Sequence, residues 1–181
     1  MRSHYGMTLI EMLISLSIIA ILLTVVAPSV QSILKSNKVT ADVNNLSALA
    51  RQARFTAINE RADVVLCPTS NYTSCSGSWN NAKMVFIDDN GNGNRDADER
   101  LLASADPLSQ SNSISGITGS LLFLDNGGIA KSAEIVVCPS GGDAKTASAL
   151  LMSMYGRITT ATDSNNDGIK ENASGANLSC S

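Results

Sequence analysis

Histidine is nearly absent from this 181-residue chain, and the only one, His4, stands ahead of the long apolar run. That leaves no imidazole in the body of the protein for Ser-His-Asp or Cys-His catalysis, or for His-ligated metals. No G-x-S-x-G or P-loop spacing offers another route to catalysis. Aromatics make up only 4% of the residues, which suits a small, loop-rich domain better than a large core. There is no excess of positive charge either. A net charge of −3 and a pI near 5.0 give no general attraction to phosphate backbones, so nucleic acid is not the default partner.

Apolar residues are present in quantity, and they are concentrated at the front. No charge occurs between Glu11 and Lys35. A secretory signal peptide would place a small-x-small cleavage site at the end of such a run. Here Pro28 occupies the position after the cut, and Glu11 sits inside the head of the run. A plain membrane anchor needs ~20 apolar residues. The run reaches that length only if Glu11 lies in the membrane, where an unpaired carboxylate costs ~2.5 kcal/mol or more. The carboxylate therefore needs a partner.

The four cysteines, Cys67, Cys75, Cys138 and Cys180, all follow the apolar run. An even count in an exported domain points to two disulfides, and three pairings are open. The favoured one joins Cys67 to Cys75 in a short local loop and Cys138 to Cys180 to tie down the C-terminus. Four reduced thiols would require a cytosolic domain. A zinc site lacks any close C-x2-4-C pair.

Behind the apolar run, Val39, Val43, Leu46, Ala50, Ala53 and Ala57 recur at spacings of four and three. This predicts an amphipathic helix whose small alanines pack closely on a sheet. Pro28 predicts a kink. A helix from Met7 to about Glu60 would be roughly 80 Å long. From Asp63 the period changes. "DVVLCP", "KMVFID", "LLFLD" and "EIVVCP" read as short strands, and "ASALLMSM" with "RITTAT" as a hairpin turning at Tyr155-Gly156. Residues 109–120 read as a loop or weak edge. The fold class expected is α+β, one long helix packed on a mainly antiparallel sheet domain.

"GMTLIEMLISLSIIAILLTVVAP" resembles the N-terminus of type IV pilins and pseudopilins. In that family a hydrophilic leader ends in Gly, and an apolar helix follows with Glu at its fifth position. Gly6 and Glu11 match, while Met7 stands where Phe is usual. The resemblance implies that prepilin peptidase cuts between Gly6 and Met7 and that the amine of Met7 is methylated. It divides the chain into leader 1–6, membrane and assembly helix 7–30, and soluble domain 31–181. A charged amine on one subunit would then meet Glu11 of another in a dry bundle, where wrong axial offsets leave the acid unpaired.

The soluble part narrows the resemblance. Cys67, Pro68, Cys75, Trp79, Val85, Phe86, Asp88, Asn90, Asn92, Gly93, Asp96, Glu99, Leu102, Phe123, Gly127, Cys138, Gly156 and Arg157 resemble the GspH/FimT family of minor pilins and pseudopilins. Ala82 stands where that family often has Gly. The implied function is that of a minor type IV pilin, FimU-like. It would prime the pilus near its tip, link other minor pilins to the major pilin, and catalyse nothing. It would wait in the inner membrane as a single-pass protein with a periplasmic domain, then reach the cell surface in the fibre. The alternatives are a type II secretion pseudopilin and a DNA-binding minor pilin. For the last, Arg157 matches the first basic position of a G-R-x-R tail and Thr159 replaces the second.

Two stretches suggest cation loops. Asp88, Asn90, Asn92, Asn94 and Glu99, with the turn at Gly93, fit D-x-[DN]-x-[DN]-G-x5-E, so calcium is a possible cofactor; none is otherwise expected. A self-sufficient Asx turn is the competing reading. Asp163, Asn165, Asp167 and Gly168 repeat the first half of the pattern, but Ser174 stands where Glu should be. Trp79 is expected to pack against the first disulfide loop.

Overall fold

The computed structural model describes residues 6–180. Most of the expected leader, with Arg2 and His4, lies outside the described residues. The chain divides into two compact units, Met1–Lys35 and Ser36–Ser181. Among the described residues the order is α1 (Leu9–Ile21), a π-helical turn (Leu22–Val26), α2 (Ala27–Glu60), β1 (Val64–Thr69), β2 (Ala82–Ile87), β3 (Leu101–Ala105), β4 (Asn112–Ser115), β5 (Leu121–Phe123), β6 (Ala133–Pro139), β7 (Ser148–Met152) and β8 (Ile158–Thr160).

In the first unit α1 starts at an N-cap. Thr8 is extended, and its hydroxyl accepts from the Glu11 N–H at 3.3 Å. The polar residues in the run serve themselves. Ser15 donates to the Glu11 carbonyl and Ser17 to the Leu13 carbonyl, both at 2.8 Å. Thr24 donates to the Ala20 carbonyl at 2.9 Å. Each hydroxyl is thus satisfied within the helix, which lipid tolerates. The helix does not stop at Pro28. Proline cannot donate to the carbonyl four residues back, and the π-helical turn directly before α2 relaxes that demand.

In the second unit the later part of α2 supplies one apolar strip. Val39, Val43, Leu46, Ala50, Ala53 and Ala57 are all buried, as their spacing predicts, and Leu49 joins them. The helix ends at Glu60 with Arg61 in the left-handed region at φ 53°. The Ala62 N–H then reaches back to the Ala57 carbonyl at 3.3 Å, the bond that closes a Schellman turn.

The strands form two antiparallel sheets, ordered β3-β2-β1-β5 and β4-β6-β7-β8. β3, which follows the Asp88–Glu99 loop, escaped the sequence reading; β4 lies within the stretch read as a loop or weak edge and is an edge strand, as β3 is. Neither is deeply buried, so neither carries an apolar alternation to betray it.

The central strands are buried on both faces, which is why they read as unbroken apolar runs. Val64 and Leu66 of β1, Val85 and Ile87 of β2, Ile135 and Val137 of β6, and Leu150 and Met152 of β7 share one core with the α2 strip. The opposite faces are covered by irregular chain. Val65, Cys67, Met84 and Phe86 pack with Tyr72 and Cys75. Val136, Cys138, Ala147 and Ala149 pack with Ile169, Leu178 and Cys180. Each covering segment is stapled to its sheet by a disulfide, Cys67–Cys75 over one and Cys138–Cys180 over the other. Trp79 departs from expectation. It packs in the shared core rather than with the disulfide loop, and its indole N–H donates to the Gly119 carbonyl at 2.9 Å.

Candidate functional site

The head of the first unit is the first candidate. Residues Gly6 to Thr8 precede the helix and are exposed, so the peptide bond between Gly6 and Met7 stands in accessible, non-helical chain. Glu11 lies in the first turn of α1. Among the described residues its side chain forms no ion pair; the one ion pair there is Arg100–Glu60. No residue of α1 is buried. Leu9–Glu60 is long and apolar enough to cross a membrane by length and composition.

The Asp88–Glu99 loop is closed by its own backbone. The Asp88 carboxylate accepts from the N–H groups of Asn92 and Gly93 at 3.1 and 2.9 Å. Buried Glu99 accepts from Asp89 at 3.0 Å and Asp96 at 2.9 Å. Asn90 and Asn92 turn their amide groups onto Asp96, at 2.7 and 2.8 Å. Their carbonyl oxygens accept from the N–H groups of Asn92 and Asn94. The oxygens a cation would use are thus engaged by N–H donors, and the loop holds its shape unaided. Among the described residues no three His, Cys, Asp or Glu side chains are gathered for a metal.

The second loop repeats the device. Asp163 accepts from the Gly168 N–H at 2.9 Å. Buried Glu171, not Ser174, closes the loop by accepting from Ser164 at 2.8 Å and Asn165 at 3.4 Å. The 12-residue template missed Glu171 because this loop is shorter. Asn177 and the Ile169 N–H hold the Asp167 carboxyl below its usual range.

Lys83 was not singled out from the sequence, since a lysine in "AKMVFI" reads as a surface position. It is buried on β2, at the wall of a cavity of about 340 Å³ shared with Asp42, Asn45 and Leu46. Burial pushes its amine down to about 8, against the opposing pull of Asp42. Asp42 itself accepts from the Asn112 amide at 2.6 Å.

Arg157 is exposed, and two glycines explain the surface around it. Gly156, at φ +76°, lies so close that a Cβ there would stand 1.9 Å from the Gly127 carbonyl oxygen and 2.5 Å from Arg54 Nε. A Cβ on Gly127 would stand 2.6 Å from Ile58. Only glycine lets these two turns meet each other and α2. Arg54 Nε donates to the Gly127 carbonyl at 2.9 Å, and Arg51 reaches the Ile158 carbonyl at 3.4 Å.

An apolar N-terminal helix carrying one acid in its first turn, followed by a domain in which helix packs on antiparallel sheets, defines a pilin-like assembly subunit. The chain belongs to the family described as Type II transport protein GspH, which matches residues 42–153. The prokaryotic N-terminal methylation motif matches residues 1–27. The fold is similar to that of the type IV minor pilin FimU of Pseudomonas aeruginosa in two crystal forms. In space group P21 the TM-score is 0.57 at 18% identity, over 70% of this chain and 90% of FimU. In P65 it is 0.54 at 17% identity, over 68% and 92%. The minor pseudopilin EpsH of the Vibrio cholerae Type 2 Secretion System gives 0.50 at 9% identity, over 68% and 95%. No curated protein matches the sequence. The chain is therefore a GspH-family protein of pilin-like fold that carries the N-terminal methylation motif. The family is structural and not enzymatic. Its methylation motif marks it for prepilin peptidase and is typical of inner-membrane prepilins that assemble with other pilins.

Proposed function

We propose that the chain is a minor type IV pilin that primes fibre assembly near the tip and joins other minor pilins to the major one. The leader is 1–6, the assembly helix 7–30 and the exported domain 31–181. Cleavage after Gly6 leaves a methylated amine on Met7, and Glu11 pairs with the terminus of a neighbouring subunit. The observation that carries this reading is the state of α1: every side chain exposed, and its one carboxylate without an ion-pair partner among the described residues. A bundle of such helices supplies both missing terms at once, apolar contact and a counter-charge. The TM-score, 0.57 to a minor pilin against 0.50 to a type II pseudopilin of the same design, supports the pilus over that alternative. Deleting the gene in its own host tests the choice. Loss of surface fibres with normal protein secretion is expected; the reverse overturns it.

A further inference from the structure

The last turns of α2 carry a second unpartnered surface, on the domain rather than the membrane helix. Arg51, Arg54, Phe55 and Ile58 follow helical spacing along one side, and the β7–β8 turn brings Arg157 beside them. Together with Gly156 and Ile158 they line a cleft of about 430 Å³. Phe55 is 65% exposed, Ile58 46%, and Tyr155 on the adjoining turn 91%. Large apolar side chains left this open, and rimmed by charge, mark an interaction surface. The guanidinium groups of Arg51 and Arg54 are oriented, but only by neutral acceptors: Ser47 and the carbonyls of Gly127 and Ile158. Among the described residues none of the three arginines forms an ion pair, nor does Asp125 on the turn that Arg54 touches. Arg157 is exposed, and Arg54 is half-buried at the same cleft.

The opposite side of the same helix end is the complement. Glu60 lies nine residues from Arg51, half a revolution round the helix at 3.6 residues per turn. It lines a separate cleft with the exposed carboxylates Asp89 and Asp98; its own charge is paired with Arg100 of the same cleft, so the free acids of this face are Asp89 and Asp98. One fold thus offers a cationic–aromatic face and an acidic loop face on opposite flanks. Contacts between unlike faces are heterologous, and heterologous contacts extend fibres rather than closing dimers.

We propose that the Arg51–Arg54–Arg157 cleft docks the acidic surface loop of an adjoining pilin subunit, with Phe55 and Tyr155 as the apolar anchor. Arginine and aromatic side chains around a partly desolvated centre are the residue types that dominate such contacts. A nucleic acid is the poorer fit. Three cations span too short a track, and the acidic flank and net charge of −3 repel a phosphate backbone. The inference rests on the chain being a fibre subunit. If that reading fails, deleting the gene leaves surface fibres intact; if only this contact fails, the deletion still abolishes them.

The test places a photo-crosslinking amino acid at Phe55 of the full chain in fibre-producing cells and maps the adduct by mass spectrometry. An adduct on a carboxylate-bearing loop of a pilin subunit is expected. The exposed variant Arg157→Glu should lower its yield at least tenfold, and reversing the mapped carboxylate to lysine should restore it. An unchanged melting temperature of the full-length variant in detergent excludes misfolding as the cause. Adducts on nucleic acid or lipid, a yield indifferent to Arg157→Glu, or no adduct in cells that assemble fibres would each overturn the proposal.

Discussion

The two helical stretches of this chain use the same backbone and opposite logic. In α1 apolar residues point every way and none is buried; in the later part of α2 they form one strip and almost all of it is buried. A helix apolar all round has no inside to choose within its own chain, so its surroundings must come from lipid and from other subunits. A helix apolar on one side finds its surroundings in the sheets that follow it. The first half is therefore built for assembly and the buried strip of the second for stability, and changes in one should leave the other untouched.

The largest expected effect breaks that comparison at its first half. Glu11→Ala should abolish incorporation into fibres while cleavage after Gly6 and the domain's melting temperature stay as in the wild type. Electron microscopy, N-terminal mass spectrometry and thermal unfolding check the three parts. Wild-type fibre levels would remove the register role of the acid.

The disulfides address the second half. Replacing Cys138 and Cys180 by serine opens a sequence separation of 42, against 8 for Cys67 and Cys75. Chain entropy predicts losses of about 4 and about 2.5 kcal/mol respectively, read by denaturant unfolding. Gly156→Ala should follow, at roughly 2–4 kcal/mol, because a Cβ enters the Gly127 carbonyl and the backbone is left-handed. Cleavage after Gly6 should be unaffected by either change.

Lys83 gives a smaller effect of opposite sign. Its folded pKa of about 8 lies below the ordinary 10.5, so the unfolded chain binds the extra proton between those values. Stability should rise as pH climbs through that window. Lys83→Met should flatten the rise and stabilise the domain at pH 7 by about 1 kcal/mol, since it removes a desolvated charge. The smallest effect is none at all: millimolar calcium should leave the melting temperature unchanged, because Asp88 and Glu99 already hold four backbone N–H groups. A clear upward shift would restore the Asp88–Glu99 loop as a cation site.

Local pattern carried much of this protein. The uncharged run with Gly6 and Glu11 at its head, the four-three spacing from Val39 to Ala57, and the apolar runs of β1, β2, β6 and β7 are short-range signals, set by helical and strand geometry and by burial. Tertiary structure alone decided the rest. The split into two sheets, the edge strands β3 and β4, the move of Trp79 into the shared core, the burial of Lys83 and the gathering of Arg51, Arg54 and Arg157 all depend on which distant segments meet. Glu171 was missed for the same reason: a carboxylate closes a loop by position in space, and a fixed residue count does not locate it. Sequence periodicity records which side of an element is buried, whereas a polar residue's role depends on the neighbours that folding brings to it.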